Sequence, residues 1–516
     1  MQSQYNIEDI KVGLKECLAL ANAPSMTDLA NAIRLSISKL DEPMQLAIIG
    51  KISSSKSTLV NAILGKDELM STGQKEITYN VGWLKYGNPD SDIVINYKDG
   101  RPPQKRSREE FQRLSVDVNH SDIDNISYIE TFDDSEILRD INIIDTPGLN
   151  AKREKDSQNT LDFISKVRPD AVVMLFTHSV EENVLDVVSH FNAGSSFNPL
   201  NAIGILSKID VLWQETIPRS KTALEIGRRM VTNRKRKDAM ISKTLFDLYP
   251  VSALLYLASS TVTSEDVCMI EQAYRTDSAA MKRALNSMKT YCDMSTTLLS
   301  EQARDMLVQK MGLYGIWLIV QRIEKGQSLG LDEVRKMFII ESGARDFQKS
   351  LYNHFGSRAK LIKIESVYQH INQNISRIRA AASNAAERSL LSTIEQKISD
   401  VFSSLVHEHR EYHLLNQLYE GTLVLDDEVE KEFKALCGEN GNSAPEKLGL
   451  PAGTLPTDML NHAISKERYW RGEIALEPDP VERQWMSVIL KSYTNLRNKI
   501  SQSIYQYQQA KNFLFN

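Results

Sequence analysis

Small and hydroxylated residues around one lysine form the stretch of this sequence that is best suited to chemistry. The run Gly50-Lys51-Ile52-Ser53-Ser54-Ser55-Lys56-Ser57 follows an apolar, strand-like segment at 45–49 and precedes a helix-like segment at 58–64. A strand, a small-residue loop and a helix that starts with Lys-Ser are the context of a phosphate-binding loop. Backbone N–H groups and the helix dipole bind phosphate in such a loop, Lys56 adds a positive charge, and the Ser57 hydroxyl can ligate Mg²⁺. The nucleotide-binding residues predicted in this stretch are Gly50, Ser53, Ser54, Ser55, Lys56, Ser57 and Thr58.

The loop departs from the phosphate-binding pattern at one position. The pattern has glycine immediately before the lysine, and this sequence has Ser55. A Cβ atom there crowds the backbone where it approaches the phosphates, so we expect a weakened affinity. The alternative is a chance Gly-Ser-Lys-Ser string in an ordinary loop, and the rest of the sequence has to decide between the two.

A second loop of the same kind follows a later predicted strand. Residues 141–144 are apolar enough for a strand, and Asp145-Thr146-Pro147-Gly148 comes directly after them. This is the order expected for the second phosphate-sensing loop of a GTPase. We expect Asp145 to hold Mg²⁺ and the backbone N–H of Gly148 to bond the γ-phosphate.

Two further motifs favour guanine as the base. Ser207-Lys208-Ile209-Asp210 follows a buried-strand pattern at 202–206 and resembles the guanine-reading motif, with Ser207 in place of the more usual Asn or Thr. Asp210 can accept hydrogen bonds from the N1 and N2 groups that guanine has and adenine lacks, and the Lys208 stem can lie over the base. Ser252-Ala253 resembles the short loop whose backbone N–H meets the guanine oxygen. Each motif is weak alone, but four in the correct order at strand ends predict a guanine-nucleotide fold.

The pattern around these motifs predicts an α/β GTPase domain at residues 44–258. Strands and helices alternate there, which indicates a mostly parallel sheet with helices on both faces. The near-continuous apolar runs at 171–176 and 202–206 are typical of buried parallel strands. Residues 82–86 and 92–97, separated by Gly87-Asn88-Pro89-Asp90, predict a hairpin.

The remainder of the chain predicts an all-α helical-bundle stalk at residues 259–516. Apolar residues recur there in steps of three and four, as in the seam between packed helices. The predicted seam positions are Val367, Ile371, Ile375, Ile378, Leu391, Ile394, Ile398, Val401 and Leu405. A Gly/Pro-rich interruption near 438–456 is a candidate tip loop. The helix-like segment 1–43 is expected to pack with the stalk.

Bulk composition limits the classes of function. The chain has 516 residues, 25% of them charged, a net charge of −5 and four scattered cysteines. This length predicts two or three domains. The net charge gives no global attraction to nucleic acid or to an anionic membrane, so no nucleic-acid partner is expected. The cysteine spacing indicates a reducing compartment without a disulfide frame or a zinc site. The sequence shows no signal-peptide pattern at its start and no run near the roughly 20 apolar residues of a membrane span.

Two segments leave alternatives open. The basic run at 228–237 is either a patch for anionic lipid or nucleic acid, or a solvated helix face, and charge runs more often solvate a helix. The apolar stretch at 312–320 is either a membrane-inserting tip or a core segment.

Several strings resemble those of bacterial dynamin-like GTPases. They are a loop that ends in Thr78 and is followed by a strand with a Tyr-Gly end at Tyr86-Gly87, then Gly-Leu-Tyr-Gly-Ile at 312–316, Ser342-Gly343, and Phe-Gly-Ser-Arg-Ala at 355–359. The resemblance covers most of the chain, and in that family the last three strings belong to the stalk. It therefore favours a core role for 312–320.

The resemblance implies GTP hydrolysis with Mg²⁺. Thr78 falls at the threonine that ligates Mg²⁺ and positions water, and Ser53 falls where a serine helps to bind a charge-compensating monovalent cation. Ile52 replaces the catalytic glutamine of the eukaryotic type, so slow or assembly-dependent hydrolysis is expected. The expected catalytic residues are Lys56, Ser57, Thr78 and Ser53, the metal ligands are Ser57, Thr78 and Asp145, and the nucleotide contacts also include Gly148, Ser207, Lys208, Asp210, Ser252 and Ala253.

Together with these residues, the resemblance implies a GTP-binding mechanoenzyme whose heads dimerise across the nucleotides and whose stalk transmits the change. The expected ligands are GTP or GDP and Mg²⁺. The expected partners are a second copy or a related dynamin-like chain. The protein is expected in the cytoplasm, and peripheral contact with lipid at the inner membrane is left open. The alternative is a regulatory or scaffold GTPase that barely hydrolyses GTP and does not bind lipid. An ATPase is disfavoured by Asp210.

Overall fold

The computed structural model describes most of the chain. The described residues are 7–23, 26–51, 53–66, 81–107, 110, 125–146, 169–177, 199–215, 221–237, 241, 244–293, 298–382, 384–403, 406–441 and 443–515. They divide into two compact units. The head is Pro43–Leu351, and the helical unit combines Met1–Glu42 with Tyr352–Asn516.

A mostly parallel sheet with flanking helices forms the head, which confirms the predicted α/β class. Its described strands are β1 (Met44–Gly50), β2 (Val81–Tyr86), β3 (Ile93–Tyr97), β4 (Gln104–Arg106), β5 (Ile126–Asp133), β6 (Ile141–Asp145), β7 (Ala171–Phe176), β8 (Ala202–Ser207) and β9 (Leu248–Val251). They lie in the order β4-β3-β5-β2-β6-β1-β7-β8-β9. Strands β6, β1, β7, β8 and β9 pair in parallel. Every residue of β1, β7 and β8 is buried, as parallel strands covered on both faces require.

The predicted hairpin of residues 82–86 and 92–97 is wrong. Strand β5 lies between β2 and β3: it pairs in parallel with β2 and antiparallel with β3. Strand β2 in turn pairs antiparallel with β6. The turn residues between β2 and β3 therefore connect two strands that are not neighbours, because a later strand supplies the hydrogen bonds between them.

Because β1, β6, β8 and β9 all belong to the parallel part of the sheet, the loops that follow these four strands lie at the same edge of it. Ile48 of β1 stands opposite Asp145 of β6, and Ser207 of β8 stands opposite Val251 of β9. The carboxyl ends of parallel strands are where open α/β sheets bind ligands. The phosphate loop, the Asp145 loop and both base motifs therefore begin at the same edge.

The helices of the head continue well past the predicted domain boundary at residue 258. They are α3 (Lys56–Leu64), α4 (Ile209–Glu215), α5 (Ala223–Lys237), α6 (Ala253–Thr261), α7 (Ser264–Thr276), α8 (Ser278–Ala284), α9 (Met288–Cys292), α10 (Glu301–Glu324), α11 (Leu331–Glu341) and α12 (Ala344–Ser350). Buried residues of α10 and α11, such as Ile316 and Phe338, share one apolar cluster with sheet residues such as Ala47 and Met174. The head therefore ends at Leu351.

With this boundary, two of the strings that the resemblance to bacterial dynamin-like GTPases assigns to the stalk lie in the head instead. Residues 312–316 and Ser342-Gly343 belong to the head. Leu313 and Ile316 are fully buried in the core of the head, which agrees with the core interpretation of this apolar stretch.

Helices from both ends of the chain build the helical unit. They are α1 (Ile7–Leu20), α2 (Thr27–Leu40), α13 (Ser357–Ala381), α14 (Ala385–Ser403), α15 (Val406–Glu420), α16 (Asp427–Leu436), α17 (Ala444–Lys447), α18 (Pro456–Leu476) and α19 (Pro480–Phe515). The predicted seam residues Val367, Ile371, Leu391 and Ile394 are buried in one cluster with Leu14 of α1 and Ile33 of α2. In the described part of the chain, no helix is long and apolar enough to cross a membrane.

The basic run at 228–237 forms the second half of α5, and several of its charges are already paired. Arg228 forms an ion pair with Asp346 at 3.0 Å, and Lys235 pairs with Asp247. Arg234 donates a hydrogen bond to the Thr177 carbonyl, and burial lowers its pKa. Leu224 and Val231 face the core. These contacts favour the interpretation of this run as one face of an ordinary amphipathic helix.

Candidate functional site

The phosphate loop has the backbone conformation of an anion-binding turn. Ser53 and Ser55 both lie in the left-handed region, with φ of 59° and 70°. Left-handed residues between right-handed ones turn successive N–H groups toward one concavity. A Cβ at Gly50 would lie 2.6 Å from Ser54 Oγ and 3.0 Å from the Leu175 carbonyl, so the loop needs glycine there. Ser55 occupies the position where the phosphate-binding pattern has glycine. Its conformation explains why the pattern prefers glycine, since a side chain is strained at this φ.

Lys56 points back into the loop. Its Nζ donates hydrogen bonds of 3.1 Å to the carbonyls of Gly50 and Lys51, and its side chain is buried. Burial lowers the pKa of Lys56, and the nearby Asp145 carboxylate opposes that shift. A buried ammonium group held by two carbonyls is stabilised further by a neighbouring anion, so the site favours phosphate.

Ser57 and Asp145 meet across the ends of α3 and β6. Ser57 Oγ donates a 2.6 Å hydrogen bond to Asp145 Oδ2. The other carboxylate oxygen of Asp145 is buried and has no hydrogen-bond partner among the described residues. Burial raises the pKa of Asp145, against the opposing effects of Lys56 and Ser57. A hydroxyl beside a buried carboxylate with a free oxygen is an all-oxygen donor set that fits Mg²⁺.

The base end of the site joins β8 to the start of α6. Ser207 Oγ donates to the Phe176 carbonyl at 3.2 Å, which ties β8 to β7. Lys208 follows with a left-handed φ of 59°. Asp210 is buried, and burial raises the pKa of its carboxyl group, while a side-chain hydrogen bond with Ser252 and the charge of Lys208 lower it. The two base motifs are therefore in direct contact.

Ser252 and Ala253 begin helix α6. Ser252 is its N-cap, and its Oγ accepts a 3.2 Å hydrogen bond from the Leu255 N–H. The Ser252 N–H donates a 2.9 Å bond to the Ser342 carbonyl. Next to it, Gly343 has φ of 75°, and a Cβ there would lie 2.0 Å from the Pro250 carbonyl oxygen. Ser342-Gly343 therefore fixes the base loop, a role that the motifs of the loop itself do not reveal.

A break in helix α10 lies against the carboxylate of Asp210. Gly312 interrupts the helix with φ of 67° and ψ of 170°. A Cβ on Gly312 would lie 3.9 Å from Asp210 Oδ2 and 3.3 Å from Leu254 Cδ2. Two residues on, Tyr314 accepts a 3.1 Å hydrogen bond from the Ala223 N–H and donates a 2.9 Å bond to Glu341. The Gly-Leu-Tyr-Gly string marks this contact in the sequence, but nothing in the string indicates a role at the base end of the site.

Two residues of the predicted site, and the isoleucine in place of the catalytic glutamine, fall outside this geometry. Thr78, Gly148 and Ile52 lie outside the described residues. The structure brings Lys56, Ser57 and Asp145 together at one end, and Lys208, Asp210 and Ser252 together at the other.

A phosphate loop on β1, an acidic side chain on β6 and a guanine-type carboxylate after β8 define this protein as a P-loop GTPase. Comparison with known proteins agrees: residues 46–209 match the model of the Dynamin family, which describes its N-terminal domain. The isoniazid-induced protein IniC of Mycobacterium tuberculosis is 24% identical over 451 residues, which span 85% of this chain and 86% of that protein. Dynamin-like protein 2 of Campylobacter jejuni is 26% identical over 190 residues, 37% of this chain and 30% of that protein.

The head carries the Dynamin-family domain at residues 46–209, and the chain is similar to bacterial dynamin-like GTPases. It binds GTP and GDP, with Mg²⁺ as the usual metal of GTPases, and it hydrolyses GTP. A solved structure of an oligomerised bacterial dynamin pair, described as a mechanism for long-range sensing and tethering of membranes, covers 98% of this chain and 67% of its own. It shares 14% identity with this chain, at a TM-score of 0.35.

Replacing Gly312 with alanine is expected to destabilise the head by about 1–3 kcal/mol and to weaken GTP binding, because only glycine adopts this φ and ψ without strain. The break at Gly312 also lies beside Asp210 and Leu254, so a shift there disturbs the base end of the site. Denaturant unfolding followed by tryptophan fluorescence measures the stability, and Trp213, which packs on Tyr314 at 5.0 Å, contributes to that signal.

Gly326→Ala is the matched control. Gly326 also has a positive φ of 61°, but a Cβ there meets nothing within 4 Å. We expect it to lower stability slightly and to leave GTP affinity unchanged. Equal GTP affinity for both variants would show that the break in α10 is unrelated to the base.

Proposed function

We propose that this GTPase couples the GTP-dependent pairing of two heads to movement of the helical unit, in membrane remodelling or in a vesicle-related secretion process. In this proposal the protein works in the cytoplasm, as a homodimer or with related dynamin-like chains, and contacts lipid peripherally at the inner membrane. Support comes from the family match and from the way in which the chain connects its two units.

That connection is the observation that carries the proposal. The head is inserted between two parts of the helical unit, so the chain crosses between units at 42–43 and at 351–352. The first crossing leads within two residues into β1, which ends at the phosphate loop. The second follows the α12 segment that begins at Gly343, beside the Ser342 carbonyl that holds the base loop. The first connection therefore enters the strand that leads to the phosphate loop, and the second leaves the helix that begins beside the base loop.

The proposed roles of the described site residues follow from their positions, and those of Thr78 and Gly148 follow from the sequence motifs alone. Lys56 binds the β- and γ-phosphates, the loop residues bind phosphate through their N–H groups, and Asp210 reads guanine with Ser252 holding its carboxylate in place. Ser57, Asp145 and Thr78 hold Mg²⁺, which neutralises developing charge on the phosphates when bound. Gly148 contacts the γ-phosphate, Ser53 helps to compensate charge, Ser207 and Lys208 flank the base, and Ala253 offers its N–H to the guanine oxygen.

The rate of GTP hydrolysis per molecule is expected to rise with protein concentration, by about tenfold or more across the dimer dissociation constant. A second head that completes the catalytic site supplies groups that one head lacks, and such trans contributions are large in related chemistry. Phosphate release measured over a protein dilution series tests this. Lys56→Ala is expected to show no hydrolysis at any concentration.

A second candidate function is a regulatory or scaffold GTPase that turns over slowly and does not bind lipid. The strained φ of 70° at Ser55 favours it, because it weakens the phosphate loop. Co-sedimentation with anionic and neutral vesicles, with GDP, with a non-hydrolysable GTP analogue and without nucleotide, separates the two functions. A concentration-independent rate together with no vesicle binding in any state would select the scaffold.

A further inference from the structure

A cavity of about 1030 Å³ lies in the head beside the nucleotide site. Helices α3 and α6 form one wall, and the first half of α10 forms the other. Its lining residues are Thr58, Leu254, Leu257 and Thr261 on the first wall and Ser300, Glu301, Gln302, Asp305, Met306, Gln309 and Lys310 on the second. None of the nucleotide motifs assigns a role to the α10 wall.

The lining of the cavity includes one residue that follows the phosphate end of the site and one that follows the base end. Thr58 directly follows Ser57, whose hydroxyl bonds Asp145 at 2.6 Å. Leu254 directly follows Ala253, and its Cδ2 flanks the Gly312 backbone together with the Asp210 carboxylate. In a nucleotide the ribose links the base to the phosphates. A guanine nucleotide bound at both ends would have its ribose near Thr58 and Leu254, which are two residues of this lining.

The α10 wall presents hydrogen-bond acceptors to that space. Gln302, Asp305 and Gln309 are exposed and lie on one helix face, at spacings of three and four residues. The single cation of the wall, Lys310, is engaged in a 2.8 Å ion pair with the buried Asp266. Lys310 therefore does not neutralise the acceptors on this wall. Ribose hydroxyls are donors, and a carboxylate accepts two such hydrogen bonds.

Distance along the helix selects among the acceptors. At about 1.5 Å per residue, Gln309 and Asp305 lie roughly 4.5 and 10 Å from Gly312, which marks the base end. Glu301 lies roughly 16 Å from it on the same scale. Because the ribose is attached directly to the base, Gln309 and Asp305 are close enough to reach the ribose, and Glu301 is too far away.

We propose that Asp305 and Gln309 bind the ribose hydroxyls of the guanine nucleotide and make the site selective for ribonucleotides. Helix α10, which lies far from the motifs in sequence, is then the third wall of the nucleotide site. This inference rests on the proposed assignment of Lys56 to the phosphates and of Asp210 to the base.

Calorimetric titration of the full chain with GTP, 2′-deoxy-GTP and 3′-deoxy-GTP tests the inference. The wild type is expected to bind GTP about tenfold more tightly than either deoxy form, as the loss of a hydrogen bond to a charged group predicts. Asp305→Ala should lose most of this discrimination, and Asp305→Ala combined with Gln309→Ala should bind all three equally, at the affinity of the deoxy forms. Asp305→Asn keeps one acceptor oxygen and should retain part of the discrimination, and Gln309→Ala should lose a smaller part.

Glu265→Gln is the matched control, because Glu265 is an exposed acid of α7 that does not line the cavity. It should behave as the wild type, which excludes a general effect of net charge. Thermal unfolding of every variant checks the fold, and Asp305 is exposed, so its replacement should leave the melting temperature unchanged. If Asp305→Ala combined with Gln309→Ala keeps full discrimination, or if the wild type shows none, the inference fails while the proposed function stands. If GTP binding does not depend on Lys56, both fail.

Discussion

Replacing Lys56 with alanine is expected to lower the affinity for GTP by on the order of 100-fold or more and to abolish hydrolysis. The ammonium group is buried in the phosphate loop, where two carbonyls hold it and Asp145 is the nearest opposing charge. Truncating one partner of a buried, hydrogen-bonded charge pair costs about 2–5 kcal/mol. Calorimetric titration with GTP and with GDP measures the loss.

The expected result also separates binding from folding. Lys105→Ala removes an exposed lysine of the edge strand β4 and should leave GTP affinity unchanged. Both variants are checked by thermal unfolding, since Lys56→Ala leaves the Asp145 carboxylate buried without its cation. A folded Lys56→Ala protein that binds GTP as tightly as the wild type would refute the phosphate-loop assignment.

Replacing Asp210 with asparagine is expected to lower GTP affinity by about 100-fold or more and to make xanthosine triphosphate the preferred ligand. In its proposed role the Asp210 carboxylate accepts from two N–H groups of guanine, whereas an asparagine amide would place a donor against one of them. Xanthine carries a carbonyl oxygen where guanine has its amino group, so that donor finds an acceptor. Competition among GTP, xanthosine triphosphate and ATP measures the change of preference.

Two variants bracket this expectation. Asp332→Asn, at an exposed position in the first turn of α11, is the charge-matched control and should retain the preference for GTP. Ser252→Ala removes the hydrogen bond that holds Asp210 and should weaken GTP binding without changing which base is preferred. Equal competition by ATP and GTP in the wild type would contradict guanine reading and revive an ATPase.

The motif-bearing part of the head was predictable because its signals are local. A buried strand, a tight loop and a helix start are specified by consecutive residues, and parallel strands then bring their carboxyl ends to one edge. The contact of Ser57 with Asp145 and that of Asp210 with Ser252 follow from this rule and were expected as neighbouring roles. The helical periodicity of residues 367–375 and 391–398 was equally local, and these positions are buried.

Pairing between distant segments was not predictable in the same way. The hairpin of β2 and β3 looked plausible because a turn sequence separates two apolar runs, yet β5 supplies the partner of both. The end of the head was misplaced for a similar reason. Nothing in the sequence of residues 301–341 distinguishes helices that cover a sheet from helices that form a stalk, since both need an apolar face.

The sequence by itself determined the chemistry of this protein: the phosphate loop, the acidic side chain after β6, the guanine-type motifs and the helical character of most residues after 258. The tertiary structure alone decided that Ser342 holds the loop of Ser252, that Gly312 breaks α10 beside Asp210, and that α10 lines a cavity together with Thr58 of α3 and Leu254 of α6. The reason is physical. The chemistry of a motif depends on the order of neighbouring residues. Burial of apolar surface is non-directional, so the packing of the whole chain decides which segments distant in sequence come together.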